Sequence, residues 1–263
     1  MKIALIGFGA INRHVVDVLS KAAPEVQIVA IGLPADQEST AAVPGARLVT
    51  EPESLREIAP DVVVEAASRE AVSMWGDAAL MYSRTFIVSS ASALADDAFF
   101  ERMRRLAITN GSRLIVSPGA VAGIDGLAAV SLVGVDILHH QIIKPPAAWR
   151  GTAADGLLDG VAAAPMSFFR GTARLAGSTF PANANVAVIT AKSSGIGLDA
   201  ASVELVVDPS ATENRHRIKA TGVFGTISVE VHNKPLETNP KSSQLAALAL
   251  VRLILLQMPG VRF

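Results

Sequence analysis

The sequence predicts an α/β protein in which a doubly wound parallel sheet over residues 1–118 is followed by a second, α+β domain. Three observations carry this expectation. Short apolar runs alternate with helical stretches from Lys2 to Pro118, a glycine-rich turn follows the first run, and beyond Gly119 the runs change to a period-two alternation.

The runs of the first part are KIALIG, VQIVAIGL, ARLVT, DVVVEAAS, TFIVSS and SRLIVSPG, with helical stretches at His14 to Ala23, Ala71 to Tyr82 and Asp96 to Asn110 between several of them. Runs that are apolar throughout belong to strands covered on both faces. In residues 119–240 a helical stretch, Ile124 to Val133, leads into VDILHHQIIK, and ASVELVVDP, NRHRIKATGVF and GTISVEVHN follow. Their alternation and short turns predict a mainly antiparallel sheet with one face solvated or at an interface. The last segment, residues 241–263, is expected to be an apolar helix packing back on the first domain.

Composition narrows the function. Half of the 263 residues are hydrophobic and 18% are charged, so a large core is available and apolar surface is left for a subunit partner, which favours an oligomer. The 23 basic and 24 acidic residues nearly cancel, which gives no footprint for nucleic acid or an anionic membrane and favours a small-molecule substrate. With no cysteine, disulfides, thiolate zinc sites, iron–sulfur clusters and cysteine nucleophiles are excluded. The start MKIALIGFG has no signal-peptide pattern, and the apolar run Leu245 to Leu256 is too short to span a bilayer, so a cytoplasmic protein is expected.

The turn Gly7-Phe8-Gly9-Ala10-Ile11-Asn12 matches G-x-G-x-x-G at its first two glycines and has Asn12 at the third. The first glycine permits a sharp turn, and the second lets a pyrophosphate approach backbone amides at a helix start. In its strand–turn–helix setting this predicts a Rossmann-type dinucleotide site built from Gly7, Gly9, Ala10 and Ile11. The second strand ends Ile31-Gly32-Leu33-Pro34 with neither the acid that would hold the ribose of NAD nor an Arg for NADP. Asp36 is the nearest acid, and NAD or NADP is expected.

Ligands of open parallel sheets bind at the carboxyl ends of strands, here Glu65-Ala66-Ala67-Ser68, Ser89-Ser90-Ala91-Ser92 and Ser117-Pro118-Gly119-Ala120. Ala67 and Ser68 join the candidate cofactor contacts; serines at such places are equally good helix caps. Five histidines compete as the proton carrier. His216, following Asp208-Pro209 and Asn214, reads as sitting at a loop edge. Asn239-Pro240-Lys241-Ser242-Ser243 reads as the start of the last helix. It is equally a carboxylate site, formed by amides with Lys241, Ser242 and Asn239, or a well-capped helix start.

Several of these motifs occur together. Ser117-Pro118-Gly119-Ala120 with Gly123-Ile124-Asp125, then Phe180-Pro181-Ala182-Asn183-Ala184-Asn185-Val186-Ala187, Asp208-Pro209, Asn214-Arg215-His216 and Asn239-Pro240-Lys241-Ser242-Ser243 make the chain resemble L-aspartate dehydrogenases over nearly its whole length. The resemblance implies a dimeric enzyme that oxidises L-aspartate with NAD or NADP to iminoaspartate, hence oxaloacetate and ammonia, reversibly, or that feeds NAD biosynthesis. It places the catalytic histidine on His216 and cofactor contacts on Ala120 and Asn185. Asn12 and the missing acid after the second strand depart from the pattern, both at the cofactor site.

Two rivals remain. His139-His140-Gln141-Ile142-Ile143-Lys144 and Gly151-Thr152-Ala153 are similar to a dihydrodipicolinate reductase signature, but the spacing is off by one and Pro145-Pro146-Ala147-Ala148 replaces Asp-Ala-Pro-Ser. A non-catalytic NAD(P) sensor is the other.

Overall fold

The computed structural model describes residues 1–40, 43–158, 164–181, 183–237 and 239–260. They form two compact units, Met1–Ser117 with Ala246–Phe263, and Pro118–Leu245.

In the first unit the strands are β1 (Lys2–Ile6), β2 (Gln27–Gly32), β3 (Arg47–Val49), β4 (Val62–Glu65), β5 (Thr85–Val88) and β6 (Arg113–Val116), all parallel and ordered β3-β2-β1-β4-β5-β6. Between them run α1 (Ala10–Ala22), α2 (Ser54–Ile58), α3 (Arg69–Tyr82) and α4 (Asp97–Asn110). Successive strand residues point to opposite faces, and both faces are covered. Ala4, Ile6, Val63, Phe86 and Val88 pack with Val72, Trp75, Met103 and Ala107 of α3 and α4. Ile3, Leu5, Val62, Val64 and Ile87 pack with Val15 and Leu19 of α1 and with Ala247, Leu250 and Ile254 near the C-terminus. This two-sided burial is why the strands read as unbroken apolar runs.

The second unit begins with α5 (Ile124–Val130). A five-stranded sheet follows, made of β7 (Ile137–Lys144), β8 (Met166–Thr172), β9 (Ser202–Val207), β10 (Asn214–Gly222) and β11 (Gly225–Asn233) in the order β11-β10-β7-β9-β8. Only β7 and β9 are parallel; the other pairs are antiparallel. The short helices α6 (Pro146–Trp149) and α7 (Asp155–Leu158) follow β7, and α8 (Ala173–Thr179) and α9 (Asn185–Ser193) lie between β8 and β9. In β10, Asn214, His216, Ile218 and Ala220 are buried while Arg217 and Lys219 are exposed, so this strand turns one face to the core, whereas the central strand β9 is buried on both faces. The outward face carries ion pairs such as Arg217 with Glu230 and Arg170 with Glu204.

One expectation is corrected. Asn239–Ser243 does not open the last helix: it is a strand, β13, paired antiparallel with β12 (Pro235–Leu236), and α10 (Gln244–Leu255) begins after it. Asn and Pro, read as cap and first helical residue, suit a hairpin edge equally well, because proline is tolerated where no ladder donor is needed. Among the described residues no helix is long and apolar enough to cross a membrane.

Candidate active site

The glycine turn shows why each glycine is there. Gly7 adopts φ +83°, and a Cβ on it would lie 2.6 Å from the Ala67 Cβ, so only glycine fits against the end of β4. At Gly9 a Cβ would meet nothing within 4 Å. Gly9 is the N-cap of α1 and supplies no side-chain cap, which leaves the amides of Ala10 and Ile11 at an open helix start, where a pyrophosphate fits. Asn12 ties this turn together: its buried Nδ2 donates to the carbonyls of Ile6 (3.2 Å) and Gly7 (2.7 Å). Asn12 therefore braces helix against strand at the position where a glycine would merely allow close packing.

Glu65, the last residue of β4, is fully buried. Its carboxylate accepts hydrogen bonds from Ala67 N (2.7 Å), Ser89 N (3.2 Å), Ser90 N (3.0 Å) and Ser90 Oγ (2.7 Å), joining the ends of β4 and β5. Burial raises its pKa and outweighs the lowering by these donors. Ser68 caps α3, accepting from Ala71 N at 3.3 Å. Asp36 lies exposed in a 3₁₀ turn, Ala35–Thr40, beyond β2.

The polar centre of the second unit arises from strand parity. On β7, His140, Ile142 and Lys144 share the inward face, and on β10 so do Asn214 and His216. The register pairs His140 with Ile218 and Ile142 with His216, which makes His140 and His216 diagonal neighbours. Their rings meet with His140 Nε2 3.2 Å from His216 Nδ1, and His140 Nδ1 lies 3.1 Å from the Thr190 hydroxyl on α9. Both rings are buried, and burial holds both in the neutral form: His140 is lowered to about 3 and His216 falls well below the usual 6.5, the latter helped by the neighbouring His140 and Lys144.

His216 was expected at a loop edge and instead lies inside β10, 1% exposed. The sequence offers His140 as a competing histidine and, with Lys144, as part of the reductase-like signature, but neither as a neighbour of His216. Lys144 is 4% exposed, donates from Nζ to Asn183 Oδ1 (3.0 Å) and lies 5.7 Å from the Trp149 ring centroid. Burial lowers its pKa to about 8. Among the described residues no carboxylate pairs with it, and the buried Nδ2 of Asn183 has no partner. The nearby acid Asp208 is held by Ser210 and Arg215.

Of the other candidates, Ala120 is buried with its carbonyl accepting from Asn233 Nδ2 (2.7 Å), and Asn185 opens α9. Asn239 Nδ2 donates to Ser242 Oγ (3.2 Å), and Ser243 Oγ accepts from Asn214 Nδ2 (3.2 Å), which ties β13 to β10 two residues from His216. The side chain of Lys241 lies outside the described residues. His139 and His232 lie in strands with half-exposed side chains near Glu204 and Glu230, and His14 is on α1.

Comparison with known proteins accords with both units. Residues 7–117 match the family described as homoserine dehydrogenase, NAD binding domain, and residues 125–257 the family described as aspartate dehydrogenase, C-terminal. The L-aspartate dehydrogenase of Brucella anthropi is 46% identical over 96% of this chain and 94% of its own. The structure of an aspartate dehydrogenase from Thermotoga maritima superposes with a TM-score of 0.78 at 23% identity, covering 100% of this chain and 99% of that one. A dihydrodipicolinate reductase from Paenisporosarcina shares the fold at a TM-score of 0.57 and 13% identity, over 95% and 91% of the two chains. With sequence identity at this level across nearly its full length, the chain belongs to the L-aspartate dehydrogenase family.

Proposed function

We propose that this chain catalyses the reversible oxidative deamination of L-aspartate to iminoaspartate, which water converts to oxaloacetate and ammonia. One observation carries the reading: the second unit buries an ammonium, Lys144, with no carboxylate partner among the described residues, beside an unpartnered amide donor, Asn183 Nδ2, on the same sheet face as a neutral histidine. An unpaired buried cation is costly, and a substrate carboxylate would complete it.

Lys144 and Asn183 hold one carboxylate of aspartate. Asn239, Ser242 and Lys241 serve the other. Presented from a strand rather than a helix start, they would have to bind through side chains. His216 is the proton carrier. It takes the proton released as the substrate amine becomes neutral and passes it to solvent, then takes one from the water that attacks the imine carbon and returns it to the departing amine, which leaves as ammonia. Its depressed pKa keeps it a base at neutral pH.

The dinucleotide supplies the acceptor for the hydride leaving Cα. Gly7, Gly9, Ala10 and Ile11 would hold its pyrophosphate, with Ala67, Ser68, Ala120 and Asn185 as further contacts. With no acid or arginine at the end of β2, both NAD and NADP are expected to serve. The protein is expected to be a cytoplasmic homodimer.

A spectrophotometric assay tests this. L-aspartate is offered with NAD and with NADP, and oxaloacetate plus ammonia with the reduced forms. Turnover in both directions is expected. Absence of turnover in a protein that still binds either dinucleotide would refute the reading.

A further inference from the structure

We propose that His140 and Thr190 form a directional hydrogen-bond relay that fixes the proton of His216 on Nδ1 and leaves its Nε2 as the base. The proposal rests on the assignment of His216 as the proton carrier, and makes His140 and Thr190 positioning residues.

The direction follows from counting protons. The Thr190 hydroxyl has one, and it lies 3.1 Å from the Ala187 carbonyl, which can only accept. That proton is therefore used, and Thr190 Oγ1 must accept from His140 Nδ1–H. A neutral imidazole with its proton on Nδ1 has a lone pair on Nε2, so His140 Nε2 accepts from His216 Nδ1–H. His216 Nε2 is then the lone pair that remains, and it has no hydrogen-bond partner among the described residues. Reversing every bond would set a hydroxyl lone pair against the Ala187 carbonyl and lose one hydrogen bond.

Burial excludes the remaining alternative, a charged ring, because His140 ionises only at about 3. The charges around His216 do not upset the order. From β7 it faces His140 and Lys144. From α9 it is reached by way of the uncharged Thr190. Arg215 and Arg217, its neighbours on β10, point to the other face, where they pair with Asp208 and Glu230. An acid usually orients a catalytic imidazole. Here a second neutral imidazole does so, and so does not raise the pKa of the base as a carboxylate would.

The test combines spectroscopy and kinetics on the full chain. Nitrogen-15 spectra of imidazole-labelled protein without substrate are expected to show His216 protonated at Nδ1 and bare at Nε2. Thr190→Val removes the hydroxyl with little change of shape. It should mix the two tautomers of His216 and lower kcat by roughly tenfold to a hundredfold while leaving the KM for aspartate within about twofold. Thr190→Ser should restore the parent spectrum and rate. His140→Asp, which puts a carboxylate beside Nδ1, should move the acid limb of kcat/KM to higher pH. His216 found protonated on Nε2 in the parent protein, or Thr190→Val with unchanged kcat and unchanged spectrum, would overturn the relay. If the parent protein fails to oxidise aspartate but shows the expected tautomer, the functional reading falls and the relay stands.

Discussion

Replacing Lys144 with methionine should make the protein more stable at neutral pH and unable to hold its substrate. The lowering of Lys144 from 10.5 to about 8 means that its charged form is disfavoured in the folded state by about 3 kcal/mol. Methionine removes that penalty but leaves Asn183 Oδ1 without its donor, a loss of about 1–2 kcal/mol. The net gain at pH 7 is therefore about 1–2 kcal/mol. The sign then depends on pH. A lysine whose folded pKa is depressed leaves the unfolded chain with more bound protons between pH 8 and 10.5, so the parent gains stability on the variant across that window. Above 10.5 the parent lysine is neutral and still bonds Asn183, and the order should reverse. Urea unfolding followed by tryptophan fluorescence measures this, since Trp149 is buried in the second unit and Trp75 in the first. Titration with succinate, a dicarboxylate without an amine, reads the site itself, and binding should weaken by at least about a hundredfold in Lys144→Met. A variant less stable than the parent at pH 7, or one that binds succinate normally, would refute the claim that Lys144 is an ammonium kept unpaired for a carboxylate.

Three further outcomes follow from the same geometry. His216→Ala should reduce turnover of aspartate by roughly a hundredfold or more with dinucleotide affinity unchanged, measured by steady-state kinetics and calorimetry; an unchanged rate would remove His216 from its role. Gly7→Ala and Gly9→Ala should part company. The first forces a Cβ to 2.6 Å from Ala67 at φ +83° and should lower the thermal midpoint. The second meets nothing in the protein and should leave the midpoint intact while weakening NAD(H) binding about tenfold or more. Glu65→Gln turns an amide NH2 toward at least one of the donors that Glu65 now accepts from, and should destabilise the first unit by about 2 kcal/mol in urea unfolding, an effect absent if those bonds carry no weight.

The sequence shows the first unit plainly because a parallel sheet buried on both faces writes its strands as unbroken apolar runs, and because Gly7 and Gly9 sit between such a run and a helix. Asn12 was legible as a departure from the glycine pattern but not as a brace, since the carbonyls it bonds belong to a turn whose path is set by Gly7. The segment from Asn239 to Ser243 misled for a definite reason: its cap-like residues say only that an element begins, and strand or helix is decided by whether a partner such as β12 is at hand. The site in the second unit lies between these cases. Asn183 and Thr190 come near β7 only through the packing of α9 and the turn before it, which no local pattern encodes. His140 and Lys144 left an ambiguous mark. In ILHHQIIK, Leu138, His140, Ile142 and Lys144 share one parity, but Ile137 and Ile143 make the other parity equally apolar, so only the folded strand shows that the first is the inward one. Parity applied to NRHRIKA does put His216 inward with Ile218 and Ala220. Two histidines and a lysine on the apolar parity of neighbouring strands are expensive to bury unless something is held there. The sequence therefore marks His216 by its parity, and the pairing of β7 with β10 is what joins it to His140 and tells which nitrogen does the chemistry.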